Sequence, residues 1–307
     1  MFSIVIKLIA MLFPVALGYF LKQVGFFGKT DYKILAKIAI NITLPCTVIA
    51  SFAKLELDRS LISISVLAFV LNIAVLIYAV ITSAGIKNRK LRCMDMFSVV
   101  GFNMGNFLIP FAQQFMGSAG VAVTALFDAG NSPMCTGGHY IAITTIVGEE
   151  GKKTTIKDVF RKLLASPPLL VYILMIIMTA AKLRIPEPVA EVCSLTGHAN
   201  AFVSMFMMGL MFEIHFEKAY MQEAAFVLIR KYAFSVVVAL ICFYLLPFEL
   251  LVRQVLVLIA FAPIPSLAAI FTENVEGDVG LCSFITSCSF ILSSIFITAL
   301  IFIMNVA

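Results

Sequence analysis

Residues 61–84, LISISVLAFVLNIAVLIYAVITSA, run for twenty-four positions without one charged side chain. As an α-helix rising about 1.5 Å per residue, such a run is roughly 36 Å long, enough to cross a hydrocarbon layer of about 30 Å. In lipid a helix needs no polar face, because it pairs its own backbone groups. Comparable segments recur along the 307-residue chain near 2–21, 32–53, 61–84, 95–115, 119–147, 167–183, 188–212, 223–246, 251–272 and 279–304. Charged residues supply 13% of the chain, against about 25% in soluble domains. The expected fold is an all-α polytopic membrane protein of ten transmembrane helices, with little chain left for a separate catalytic domain.

The charges that remain orient these spans. Lys22, Lys29, Lys33, Lys37, Lys87, Arg89, Lys90, Arg92, Lys152, Lys153, Lys157, Arg161, Lys162, Lys218, Arg230 and Lys231 fall on the odd-numbered loops and their helix ends. The other face has Lys7, Lys54, Arg59, Lys182, Arg184 and Arg253, with Lys7 read as snorkelling to the surface. Lys and Arg are retained on the cytoplasmic side, so the odd loops are expected inside and both termini outside. The net charge of +5 is thus spent between spans and forms no stripe that would track nucleic acid. Met1 to Leu21 lacks a basic start and does not read as a cleaved signal.

The same sequence argues against several chemistries. Seven cysteines, odd in number and without a C-x-x-C pair, read as small hydrophobes. His139, His198 and His215 show no H-E-x-x-H spacing, and no G-x-S-x-G elbow or P-loop is present. No metal, no cofactor and no enzymatic activity are expected. His198 and Asn200 either face a cavity or pack between helices.

An internal repeat sets the architecture. At an offset of roughly 155 residues, Pro14 matches Pro168 and Pro110 matches Pro265, and Gly117-x-x-Gly120 is answered by Gly277-x-x-Gly280. Five helices per half is an odd number, so the second half enters the bilayer inverted. The expected units are a first repeat over 1–147, a cytoplasmic linker over 148–166 and an inverted repeat over 167–307.

Polar residues and prolines at membrane depth mark the candidate site. In span 4, Gly101-Phe-Asn-Met-Gly-Asn-Phe-Leu-Ile-Pro110 puts Asn103, Asn106, two glycines and a proline into an apolar run; span 9 has Pro263, Pro265 and Ser266. Proline removes a backbone donor and clashes one turn back, so each helix is expected to open just before it. Opened backbone survives in a bilayer only where protein or a watery cavity covers it. Two matched breaks therefore predict one shared cavity, in which half-helix N-termini offer N–H groups to a carboxylate. Asp128 and Asn131 share a face of span 5, and Asn41 stands near Pro45 in span 2. Asp128 reads either as a proton or cation site or as a cap on the neighbouring break.

Taken in order, Asn41 to Pro45, Asn103, Pro110, Gly117, Gly120, Asp128, Asn131, Gly209, Pro263, Thr272-Glu273 and Gly277-Asp278 resemble the auxin efflux carrier family in its bacterial permease form. The likeness departs at Leu108 and Leu267, where that family often has Gly and Asn. It implies inverted repeats with crossing helices 4 and 9, a scaffold of helices 1, 2, 6 and 7, and a transport part of helices 3–5 and 8–10. It also implies a homodimer in the bacterial inner membrane, a small organic anion such as malate or malonate as cargo, and proton, sodium or nothing as coupling ion. Pro110 and Pro263 would be the crossover prolines, and Asn103, Asp128 and Asn131 the polar lining. The rival expectations are an ion channel or ion-coupled antiporter, which needs a continuous polar file, and an intramembrane enzyme, for which no nucleophile and base are visible.

Overall fold

The computed structural model describes residues 2–28, 30–53, 63–148, 155–212 and 218–305. Within them the chain is helical throughout, with no strand. Helix α1 (Phe2–Gln23) is followed by α2 (Tyr32–Ile38), which passes through a π-helical turn, Ala39–Thr43, into α3 (Leu44–Ala53). Then come α4 (Ser63–Thr82), α5 (Arg89–Phe97), a π turn at Met104–Leu108 leading into α6 (Ile109–Phe115), and α7 (Gly117–Pro133). A third π turn, Met134–Gly138, joins α7 to α8 (His139–Val147). The remainder is α9 (Ile156–Leu164), α10 (Pro167–Ala181), α11 (Glu187–Met211), α12 (Lys218–Tyr244), α13 (Leu250–Ala260), α14 (Leu267–Asn274) and α15 (Val279–Ile303).

Among the described residues five stretches are long and apolar enough to cross a membrane: Ile6–Gln23, Tyr32–Ala53, Ser63–Thr82, Tyr220–Tyr244 and Val279–Ile303. Of the other expected spans, α11 is an unbroken 25-residue helix that is less apolar, and the rest are helical but interrupted, kinked or shorter. Apolar side chains occupy both the inside and the outside of the protein. Val66, Val70, Ile73, Ile77 and Ile81 of α4 are exposed, while Ile64, Ala68, Val75 and Ala79 of the same helix are buried. A helix apolar on all sides suits a lipid surround.

The helix ends group at two faces. Lys90 at the start of α5 pairs with Glu276 beyond α14 at 2.9 Å, and that ammonium holds the Glu276 carboxyl below its ordinary range. Arg89 donates to Gly148 O at 3.1 Å, Tyr220 donates to Asp278 at 3.0 Å, and Lys22 donates to Phe212 O. At the opposite ends, Arg253 donates to Phe243 O at 2.9 Å and Gln254 to Met304 O at 3.1 Å. The first half of span 4 thus begins beside the last residues of span 9, so the two run in opposite senses.

Two small residues set a close contact between α1 and α11. Gly209 of α11 lies against the Val15 carbonyl of α1, and Gly18 lies against the Phe206 carbonyl, so backbone meets backbone in both directions. Helix α11 also packs along α3, α4 along α7, and α12 along α13 and α15.

Two features differ from the sequence reading. Arg230 and Lys231, assigned above to the cytoplasmic face, are buried at the thirteenth and fourteenth positions of the 27-residue α12, about 20 Å from its start at 1.5 Å per residue. Removing them still leaves fourteen basic residues against six on the two expected faces. Within the expected linker, residues 156–164 form helix α9, entered by a capping box: Thr155 Oγ1 accepts from the Asp158 N–H while Asp158 accepts from the Thr155 N–H. Helix α9 meets α10 at a 74° bend. His215 lies outside the described residues.

Candidate functional site where two broken helices meet

Span 4 opens over residues 98–103 and span 9 over residues 261–266. Gly101 carries φ +81°, in the left-handed region that favours glycine, and a Cβ there would meet Cys135 Sγ at 2.8 Å and the Pro265 ring at 3.0 Å. Both the turn and the close approach therefore require this glycine. The two breaks touch: the Asn103 N–H donates to Pro263 O at 3.1 Å, and the Ile264 N–H donates to Ser289 Oγ of α15 at 3.1 Å. Pro110 does not open the chain where it stands. It occupies the first turn of α6, where its missing N–H is not needed, and the π turn before it joins the Leu108 N–H to Asn103 O at 3.4 Å. The opening lies seven to nine residues upstream, at Gly101 to Asn103.

Asn131 of α7 is the hub of the polar groups around the break. Its amide donates to Phe102 O at 3.0 Å and to Asp128 Oδ1 at 2.9 Å. Its oxygen accepts from Asn72 of α4 at 3.2 Å and from the Cys135 thiol at 3.2 Å. The second Asp128 oxygen accepts from Tyr172 of α10 at 3.0 Å. His139 lies 3.5 Å from Asn72 O. A carbonyl released by unwinding is thus held by a side chain from the next helix, as buried backbone demands.

Two donors at the break are less well served. Asn103 is buried, and its side-chain Nδ2 has no partner. Lys231 of α12 is 3% exposed; its Nζ stands 3.5 Å from Gly101 O and 5.9 Å from the centre of the Phe102 ring. The neighbouring Arg230 is bonded to Asp95 of α5 and lies over the Phe226 ring.

The expected residues divide into two groups. Asn103, Asp128, Asn131, Pro263 and Pro265 come together at the breaks. Ser266 caps α14 by position, without a side-chain bond, and Asn106 sits half-buried on the π turn. Asn41 is exposed and donates to its own Lys37 O at 2.7 Å, away from the breaks. Pro45 is buried in α3. In span 2 the inward polar groups are instead Thr43, which donates to Asn200 at 2.9 Å, and Thr47, which donates to Gly197 O at 2.9 Å. Asn200 therefore packs between helices. Lys231 was hidden by its assignment to a loop, although the span placed over 223–246 already enclosed it.

A cleft of about 380 Å³ opens between α3 and α11 on one side and α6 and the start of α7 on the other. Thr47, Ser51, Gln113, Gln114, Ser118 and the exposed His198 line it, and Gln113 crosses it to Gly197 O at 3.2 Å. None of the residues at the breaks lines this cleft, which lies on the side of the breaks where α6 ends. Among the described residues no three His, Cys, Asp or Glu are grouped to hold a metal ion.

No family model matches the chain. The chain is similar to a protein of Methanothermobacter thermautotrophicus named an uncharacterized transporter, at 25% identity over 279 residues that cover 90% of each chain.

Proposed function

We propose that this chain is a secondary carrier of the auxin efflux carrier type, moving a small organic anion across the bacterial inner membrane by alternating access. The observation that carries the reading is the hydrogen bond from Asn103 N–H to Pro263 O. Two unwound segments in antiparallel spans meet at depth, which is how inverted-repeat carriers build a binding site from exposed backbone. The likeness to an uncharacterized transporter over nine tenths of both chains supports transport in general. The co-location of alternate helix ends supports ten spans in two inverted halves. The cleft between α3–α11 and α6–α7 falls where the scaffold (helices 1, 2, 6 and 7) would face the transport part (helices 3–5 and 8–10). A channel needs a polar file from face to face, whereas here the polar groups at the breaks and the cleft are separate.

The test is counterflow in proteoliposomes preloaded with unlabelled organic acids. Saturable, preload-dependent uptake of at least one labelled carboxylate is expected, together with its loss in Asn103→Ala and Asp128→Ala protein that elutes as folded. Current without exchange, or full transport by both variants, would overturn the reading.

A further inference from the structure

Helix α12 places two cations side by side in its middle, and the protein treats them differently. Arg230 has Asp95 as its partner. Lys231 is as deeply buried, yet its neighbours are the Gly101 carbonyl at a long hydrogen bond, the face of Phe102 and the Cys135 thiol, and no carboxylate pairs with it among the described residues. A buried ammonium without a counter-charge is strongly disfavoured, and an ionisable group at membrane depth marks a ligand or ion path by default.

Position supplies the ligand. Gly101 and Phe102 belong to the unwound stretch of span 4, and two residues on, the buried Asn103 Nδ2 is a second donor without a partner. The ammonium beside this opened segment and the orphaned amide upon it are both donors, which suits a carboxylate with its four lone-pair sites. We infer that Lys231 is the fixed positive charge on which the carried carboxylate docks, with Asn103 Nδ2 donating to the same anion. The inference rests on the carrier reading for its transport consequence but not for the binding site itself. It also assigns Lys231 to cargo rather than to folding: the charge is tolerated because an anion neutralises it in the loaded state.

The sign of the stability change separates these roles. Lys231→Met keeps the length of the side chain and removes the unpaired charge, so the detergent-solubilised variant should unfold at a higher temperature than the native chain; a structural cation would make it lower. Unfolding can be followed by dye labelling of the buried cysteines. Formate, acetate, malonate and succinate, each against sodium chloride at matched ionic strength, serve as probes. At least one should raise the unfolding temperature of the native protein, fail to do so for Lys231→Met, and recover part of the effect with Lys231→Arg. Counterflow of that acid should fall roughly tenfold or more in Lys231→Met, as expected for loss of a charge-assisted bond. Equal stabilisation of Lys231→Met, a lowered unfolding temperature for it, or no stabilisation of the native chain by any of the four acids would overturn the assignment. Lysine-dependent stabilisation with no counterflow would leave the site standing and overturn the carrier reading.

Discussion

The Asp95–Arg230 pair gives the sharpest energetic prediction. Its side chains are 3% and 10% exposed, and neither is fully satisfied, because Asp95 Oδ2 and Arg230 Nη1 have no partner. Removing one member of such a pair leaves a buried charge unpaired, which costs about 3 to 5 kcal/mol. Asp95→Leu and Arg230→Met should each be destabilised by that amount. If the effects were independent, the double variant would lose about 6 to 10 kcal/mol. The double variant instead removes both desolvated charges and both orphaned atoms, and apolar replacement of a buried ion pair is typically neutral or stabilising by about 1 to 4 kcal/mol. The expected coupling is therefore at least ~6 kcal/mol. Denaturant titration in detergent micelles of the four proteins measures it. Single variants that cost less than ~1 kcal/mol, or a double variant equal to the sum of the singles, would refute the claim that this pair is a desolvated unit.

Two further outcomes follow from local geometry. Gly209→Val forces side-chain atoms onto the Val15 carbonyl and should cost about 1 to 3 kcal/mol by overpacking, read as a lower midpoint in the same titration; an unchanged midpoint would show that α1 and α11 can separate freely. The Thr155 N–H, and then its hydroxyl, hold the Asp158 carboxyl below its ordinary range. A depressed carboxyl stabilises above its unfolded value of about 3.9 and loses that effect as pH falls through the lower folded value. The protection of amides in residues 156–164, taken relative to their intrinsic exchange rate at each pH, should therefore be high at neutral pH and fall in acid, and Asp158→Asn should lower it at neutral pH; identical protection in that variant would show that the box does not hold α9.

Much of this arrangement could be read from residues before any coordinates. The all-helical, apolar character follows from long uncharged runs, because lipid-facing and protein-facing positions are both apolar and leave no ambiguity of period. The two openings were legible from Asn, Gly and Pro in apolar surroundings, but proline was the wrong pointer to the exact residue in span 4. A proline in the first turn of a helix fits without strain, and Gly101 is what the bend requires. Asp128 and Asn131 were visible as an i, i+3 pair, whereas Asn72 and Tyr172 come from distant helices and nothing local announces them. Arg230 and Lys231 were misplaced because a count of basic residues by loop cannot see how far a helix continues past its first turn. Helix α9 carried a readable signal in Thr155 and Asp158 three residues apart, obscured by the Lys and Arg that surround it.

The contrast between two seams has a mechanical consequence. Where α1 crosses α11, carbonyls rest on glycines, and no displacement is possible without opening a gap that nothing can fill. Along the 380 Å³ cleft the facing groups are hydroxyls and amides, and each hydrogen bond given up there, such as Gln113 to Gly197 O, can be replaced by one to water. The first seam behaves as a weld and the second as a wet bearing, so sliding costs less where α6 and α7 face α3 and α11 than where α1 crosses α11.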